Sequence, residues 1–155
     1  MAARSTFPDH PTHVGPAART ILTESTLPPA TRNLVLLRAS QLTGDTDATD
    51  TWRQNAARSG ESPTRIEQVD AWRESSVFTE AERAALELTE HGVRITTGGV
   101  PDADWTAAAE HFDKDGLSDL VTLVALINTT NRMGDMLRHR PPPKPTRRVP
   151  HDSTC

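Results

Sequence analysis

Cysteine occurs once among the 155 residues, as the terminal Cys155. That excludes an intrachain disulfide, a cysteine-rich zinc centre and any chemistry needing two thiols in one chain. Tyrosine is missing altogether, and aromatics make up only 4% of the sequence. β-Branched clusters are few and no apolar–polar alternation persists, so strands are not expected. No run of 18 apolar residues exists, which leaves no membrane span and no membrane partner to expect. The opening MAARSTFPDHPTHVG carries no apolar stretch of the kind a secretory signal needs, and a cytoplasmic location is expected. Hydrophobic residues reach 35% and charged ones 25%, the composition of one domain with a modest core.

Proline is scarce where it matters. Of 12 prolines, only Pro63 and Pro101 fall between Ala30 and Arg140. Proline breaks helix interiors, so the middle of the chain is free to be helical and the ends are not. We expect a disordered arm over 1–16, a folded domain over 17–139 and a disordered Pro/Arg-rich tail over 140–155. Charge divides the same way. Residues 30–137 hold 18 acids and 10 bases, whereas 138–151 hold five bases and no acid. No aromatic interleaves the tail bases, so a nucleic-acid platform is not expected.

Helical periods fill the middle. Pro28-Pro29 precede a helix at about 30–43, with Leu34, Val35, Leu37 and Leu42 apolar. A second, at about 46–59, spaces Ala48, Trp52 and Ala56 by four. A short one over 63–73 carries Ile66, Val69 and Trp72. Thr79-Glu80-Ala81-Glu82 has the form of a capping box, in which the threonine accepts from the third amide and the glutamate reaches back. After Gly98-Gly99, Pro101-Asp102 opens a helix with Trp105, Ala108, Ala109 and Phe112 on one face. The last, about 117–138, is apolar around most of its circumference, as expected of a helix central in the fold or buried between subunits. The reading is an all-α bundle of about six helices, small enough for oligomerisation to supply extra burial.

Four segments, in this order and spacing, resemble a known family: LPPATRNLVLLRASQLTG (27–44), VDAWRESSVFTEAERAALELTE (69–90), VPDADWTAAAEHF (100–112) and LSDLVTLVALINTTNRM (117–133). They look like the alkylhydroperoxidase D-like, or carboxymuconolactone decarboxylase, superfamily. The resemblance implies an all-α subunit that assembles into trimers or hexamers. Peroxidase members of the superfamily carry Cys-x-x-Cys-x-x-x-His just after the glycine of the SQ-x-x-G segment, with a glutamate twelve residues before the first cysteine. One thiolate attacks the peroxide and the second resolves the sulfenic acid, while glutamate and histidine move the proton.

Every member of that set is different here. The cysteine positions are Asp45 and Ala48, the histidine position is Trp52, and the glutamate position is Asn33. A carboxylate cannot reduce a peroxide, alanine has no functional group and indole relays no proton. The dithiol peroxidase activity is therefore expected to be lost, leaving a small-molecule-binding or structural paralogue.

The substituted segment, Asp45-Thr46-Asp47-Ala48-Thr49-Asp50, admits three readings. Aspartate and threonine are ordinary helix caps. Crowded carboxylates at Asp45 and Asp47 can split into an acid and a base, which suits a non-redox lyase, decarboxylase or isomerase. A cation site is the third, though the glycine and terminal glutamate of a calcium loop are missing. Trp52 either packs in the core or walls a ligand pocket. Asn33, with Asn128, Asn131 and Arg132 from the last helix, either bonds helix to helix or lines that pocket with Ala48. No two histidines stand at i, i+4, so neither a zinc site nor any cofactor is expected.

Overall fold

The computed structural model describes residues 14–95 and 98–138, which form seven helices and no strand among the described residues. They are α1 (Val14–Glu24), α2 (Pro29–Thr43), α3 (Thr46–Arg58), α4 (Pro63–Glu67), α5 (Glu80–Val93), α6 (Asp102–Ala109) and α7 (Lys114–Arg138). Residues 1–13 and 139–155, including nearly all of the expected arm and tail, lie outside the described residues.

Three boundaries differ from the sequence reading. The chain is already helical from Val14, inside the expected arm. Pro16 falls in the first turn of α1, where its missing N–H has no intrahelical partner to lose, and Ile21 and Leu22 pack on the core. The short helix α4 ends at Glu67 and turns follow it to Glu74, yet Ile66, Val69 and Trp72 are all buried as their spacing implies. The last helix starts at Lys114, ahead of Gly116. The Asp113 carboxylate accepts from the Gly116 amide at 2.8 Å and so caps it three residues early.

The central element is α2, packed by α3, α5 and α7. Its residues 33–37 are buried without a break, as are Thr31, Ala39 and Ser40. One side of α2 (Val35, Leu36, Ala39) joins Leu88 of α5, Ala108 of α6 and Leu120, Leu123 and Ile127 of α7 in the larger core. The other side (Leu34, Leu37) joins Ala56, Ile66, Val69, Trp72, Phe78 and Leu86 in a second. Within the single chain, the central place expected as one of two alternatives for the last helix therefore belongs to α2. One face of α7 is buried, while Val121 stays 48% exposed. The face expected on α6 is also only partly used: Ala108 is buried, Phe112 half-buried, and Trp105 and Ala109 are exposed.

The helix ends are chemically specified. Gly44 ends α2 at φ +70°, a left-handed conformation that favours glycine. Thr79 and Glu82 form the reciprocal capping box at the start of α5.

Candidate functional site

The turn between α2 and α3 positions the residues that the resemblance singles out. Gly44 reverses the chain, and the Asp45 amide donates back to the Ser40 carbonyl at 3.2 Å. Asp45 then caps α3, its Oδ1 accepting from the Ala48 amide at 3.0 Å. It is buried, at 4% exposure, whereas Asp47, two residues further on, faces solvent. The two carboxylates thus lie in different surroundings.

Trp52 is the partition of the site. It packs against both cores and forms a wall of two cavities. On one side is a space of about 250 Å³ between α1, α3 and α7, bounded by Leu22, Leu36, Ala48, Ile127, Thr130 and Asn131. On the other is an open cleft of about 390 Å³ that holds Asn33, Arg32, Asn55, Arg58 and Ser59. Asn33 is buried there, donating its amide to Ser59 Oγ at 3.0 Å. Asn131 is 2% exposed and donates to Ser40 Oγ at 3.2 Å and Thr43 Oγ1 at 2.9 Å, which pins α7 to the end of α2.

Not all the expected residues come together. Trp52 meets Asn33 in one cavity and Ala48 with Asn131 in the other. Asn128 and Arg132 are elsewhere: Arg132 Nε donates to Asn128 Oδ1 at 2.9 Å on the exposed side of α7. Asn128 lines a third, apolar groove of about 480 Å³ between α5, α6 and α7, with Leu88, Gly92, Trp105, Val121 and Val124.

Sequence reasoning missed two charged clusters. The larger centres on Glu90, which is 3% exposed. Its Oε1 accepts from Arg38 Nη2 at 2.6 Å and Trp72 Nε1 at 3.0 Å, and its Oε2 from Arg73 Nη1 at 2.9 Å and Arg94 Nη1 at 3.2 Å. Burial alone would raise the pKa of this carboxyl. The bonds from Trp72, Arg73 and Arg38 outweigh it and hold the value at about 2. A carboxylate so held accepts no proton at neutral pH; its work is to tie α2, α5 and the 68–75 turn together. The smaller cluster joins Glu87 and His91 of α5 to Asp104 of α6. Glu-x-x-x-His was visible as an i, i+4 pair, but Asp104 reaches it only through the packing of α6.

Among the described residues no helix is long and apolar enough to cross a membrane, and no buried side-chain nitrogen or oxygen lacks a hydrogen-bond partner.

The comparisons agree with this architecture. Residues 8–91 match the model of the carboxymuconolactone decarboxylase family. The chain is 34% identical over 117 residues to YdfG of Bacillus subtilis (strain 168), an uncharacterized protein, covering 76% of this chain and 80% of that one. It is 33% identical over 113 residues to YnjA of Escherichia coli (strain K12), also uncharacterized, covering 73% and 62%. The crystal structure of ATU0492 from Agrobacterium tumefaciens, a protein of unknown function named as a candidate antioxidant defence protein AhpD, superimposes with a TM-score of 0.77 at 27% identity, over 84% of this chain and 89% of that one. The debrominase Bmp8, in a cysteine-to-alanine variant bound to 2,3,4-tribromopyrrole, gives a TM-score of 0.70 over 81% and 66%; at 16% identity the likeness is one of fold. The match over more than half the sequence and the identity with YdfG lead to one conclusion: this chain belongs to the carboxymuconolactone decarboxylase family.

Proposed function

We propose that this chain is a family member without dithiol peroxidase chemistry, and that it holds a small, mostly apolar molecule in the cavity beside Ala48. One observation carries the reading. Where the resemblance puts two thiols, there is a helix cap and a methyl group: Asp45 takes up the Ala48 amide, and Ala48 opens on the 250 Å³ cavity. Reduction of a peroxide needs a thiolate nucleophile, and neither side chain supplies one. The cavity is largely apolar, with Thr130 and Asn131 among its few polar groups, which suits a small ligand with one hydrogen-bonding group.

The burial of Asp45 favours a second reading, a non-redox lyase, decarboxylase or isomerase with Asp45 or Asp47 as general acid/base. Exposure of Asp47 weighs against a coupled pair. In either reading the chain forms a homo-oligomer, a trimer or hexamer by the family resemblance. The open apolar groove along α7 supports assembly.

Hydroperoxide turnover with a dithiol donor should stay at background; turnover that survives Cys155→Ser would overturn the loss of peroxidase chemistry. In ligand-observed NMR, at least one of a panel of neutral mono- and bicyclic aromatics should bind and should be displaced by Ala48→Leu, which fills the cavity. A panel indifferent to that substitution would sink the binding site. Asp45→Asn keeps a capping oxygen and should leave binding intact. A loss of about 10²-fold in a measured turnover would establish the acid–base reading instead.

A further inference from the structure

Three Lewis-basic side chains converge at the seam of α5 and α6. Glu87 and His91 stand one helical turn apart on α5, and Asp104 comes from the first turn of α6. His91 Nε2 lies 2.9 Å from Asp104 Oδ2 and 3.4 Å from Glu87 Oε1, and one ligand atom from each residue falls within 4.8 Å of the others. All three side chains are about 30% exposed: 28% for Glu87 and 31% for His91 and Asp104. They are open to an ion from solvent yet fixed by two helices.

Two carboxylates that meet at one imidazole nitrogen repel each other, and a cation between them offsets that repulsion. A proton on Nε2 lies along one in-plane direction and serves one oxygen well. A divalent ion serves all three atoms together. With bonds of about 2.0–2.2 Å, neighbouring ligands lie roughly 2.8–3.1 Å apart around an octahedral ion and roughly 3.3–3.6 Å apart around a tetrahedral one. The two separations from His91 fall within these ranges. One imidazole with two carboxylates suits a borderline first-row ion such as Zn²⁺, and two negative charges balance its own. We propose that Glu87, His91 and Asp104 form a divalent-cation site that staples α6 to α5, with water completing the coordination.

Arg73 is the built-in competitor, since its Nη2 donates to Glu87 Oε1 at 2.7 Å. It also holds Glu90 through Nη1 at 2.9 Å, so it keeps a carboxylate partner when Glu87 turns to an ion. The staple has a structural consequence. Leu88, Gly92 and Trp105, the immediate sequence neighbours of the three ligands, line the apolar groove. An ion at the seam therefore fixes where α6 sets the half-exposed Trp105 against that groove.

The test uses the full-length chain carrying H10A, H13A, H139A, H151A and C155S, which removes the histidines outside the described residues and the thiol. Calorimetric titration with Zn²⁺ should give one equivalent per chain and a rise in Tm. His91→Ala, Asp104→Asn and Glu87→Gln should each weaken binding about tenfold or more and remove the Tm rise. Asp104→Asn preserves side-chain shape, so its loss of binding with an unchanged helical circular dichroism spectrum separates ligation from unfolding. Absence of Zn²⁺ binding, or affinity in the three variants equal to that of the parent chain, would overturn the site.

Discussion

Glu90 shows how one side chain's surroundings set the acid limit of the fold. Its carboxyl titrates at about 2, below the ordinary 4.5. A depressed folded value means that the ionised group adds stability above about pH 4.5 and that this is lost as pH falls toward 2. The linkage is worth about 3 kcal/mol at neutral pH. Glu90→Gln should lower stability at pH 7 by about 3 kcal/mol or more, because Arg38, Arg73 and Arg94 lose their shared partner. It should also flatten the fall between pH 4.5 and 2. Urea unfolding across that range checks both, and an unchanged acid slope would contradict the assignment. Asp45 differs in kind: its Oδ1 contact is a helix cap to Ala48, local and replaceable.

At the scale of elements, the contact of α5 with α7 depends on one missing methyl. A Cβ built on Gly92 would lie 2.5 Å from Val124 Cγ1. In an ordinary helix interior Gly→Ala stabilises by about 0.5–1 kcal/mol. Here the β-branched valine cannot swing aside freely, and Gly92→Ala should instead destabilise by about 1–3 kcal/mol. Adding Val124→Ala should recover part of the helix-propensity gain relative to Val124→Ala alone. A double-mutant cycle by thermal unfolding measures the coupling, and additive effects would show that the helices separate without strain. The same close approach brings α5 and α7 together under the apolar groove.

For the whole molecule, the exposed large apolar residues decide the expectation. Ile95 is 60% exposed, Val121 48% and Trp105 40%, and all three line the groove beside α7. Exposed apolar surface of this kind supports the assembly proposed above. Light scattering should give a mass well above the 16.9 kDa of one chain, and Val121→Glu should lower it. A monomer at micromolar concentration would remove the assembly reading.

The all-α class, the capping box at Thr79 and the turn at Gly44 were legible in the sequence, because each rests on local rules: periodicity, a side chain reaching its own backbone, a left-handed residue. That Asn33 falls on the second helix, Asp45 at the turn after it, and Ala48 and Trp52 on the third was legible too, from helical period and Gly44; their standing as a site comes from the family resemblance alone. Tertiary packing decided the rest. It made α2 the central helix although its sequence has no clean polar face, and it left α7 half-open despite its apolar circumference. It also split the imagined pocket in two at Trp52 and turned Asn128 and Arg132 away. Residues as far apart as Arg38 and Glu90, or His91 and Asp104, meet only when helices dock. Spacing along a chain fixes neighbours within an element; which elements face each other depends on how all the apolar surfaces are buried at once.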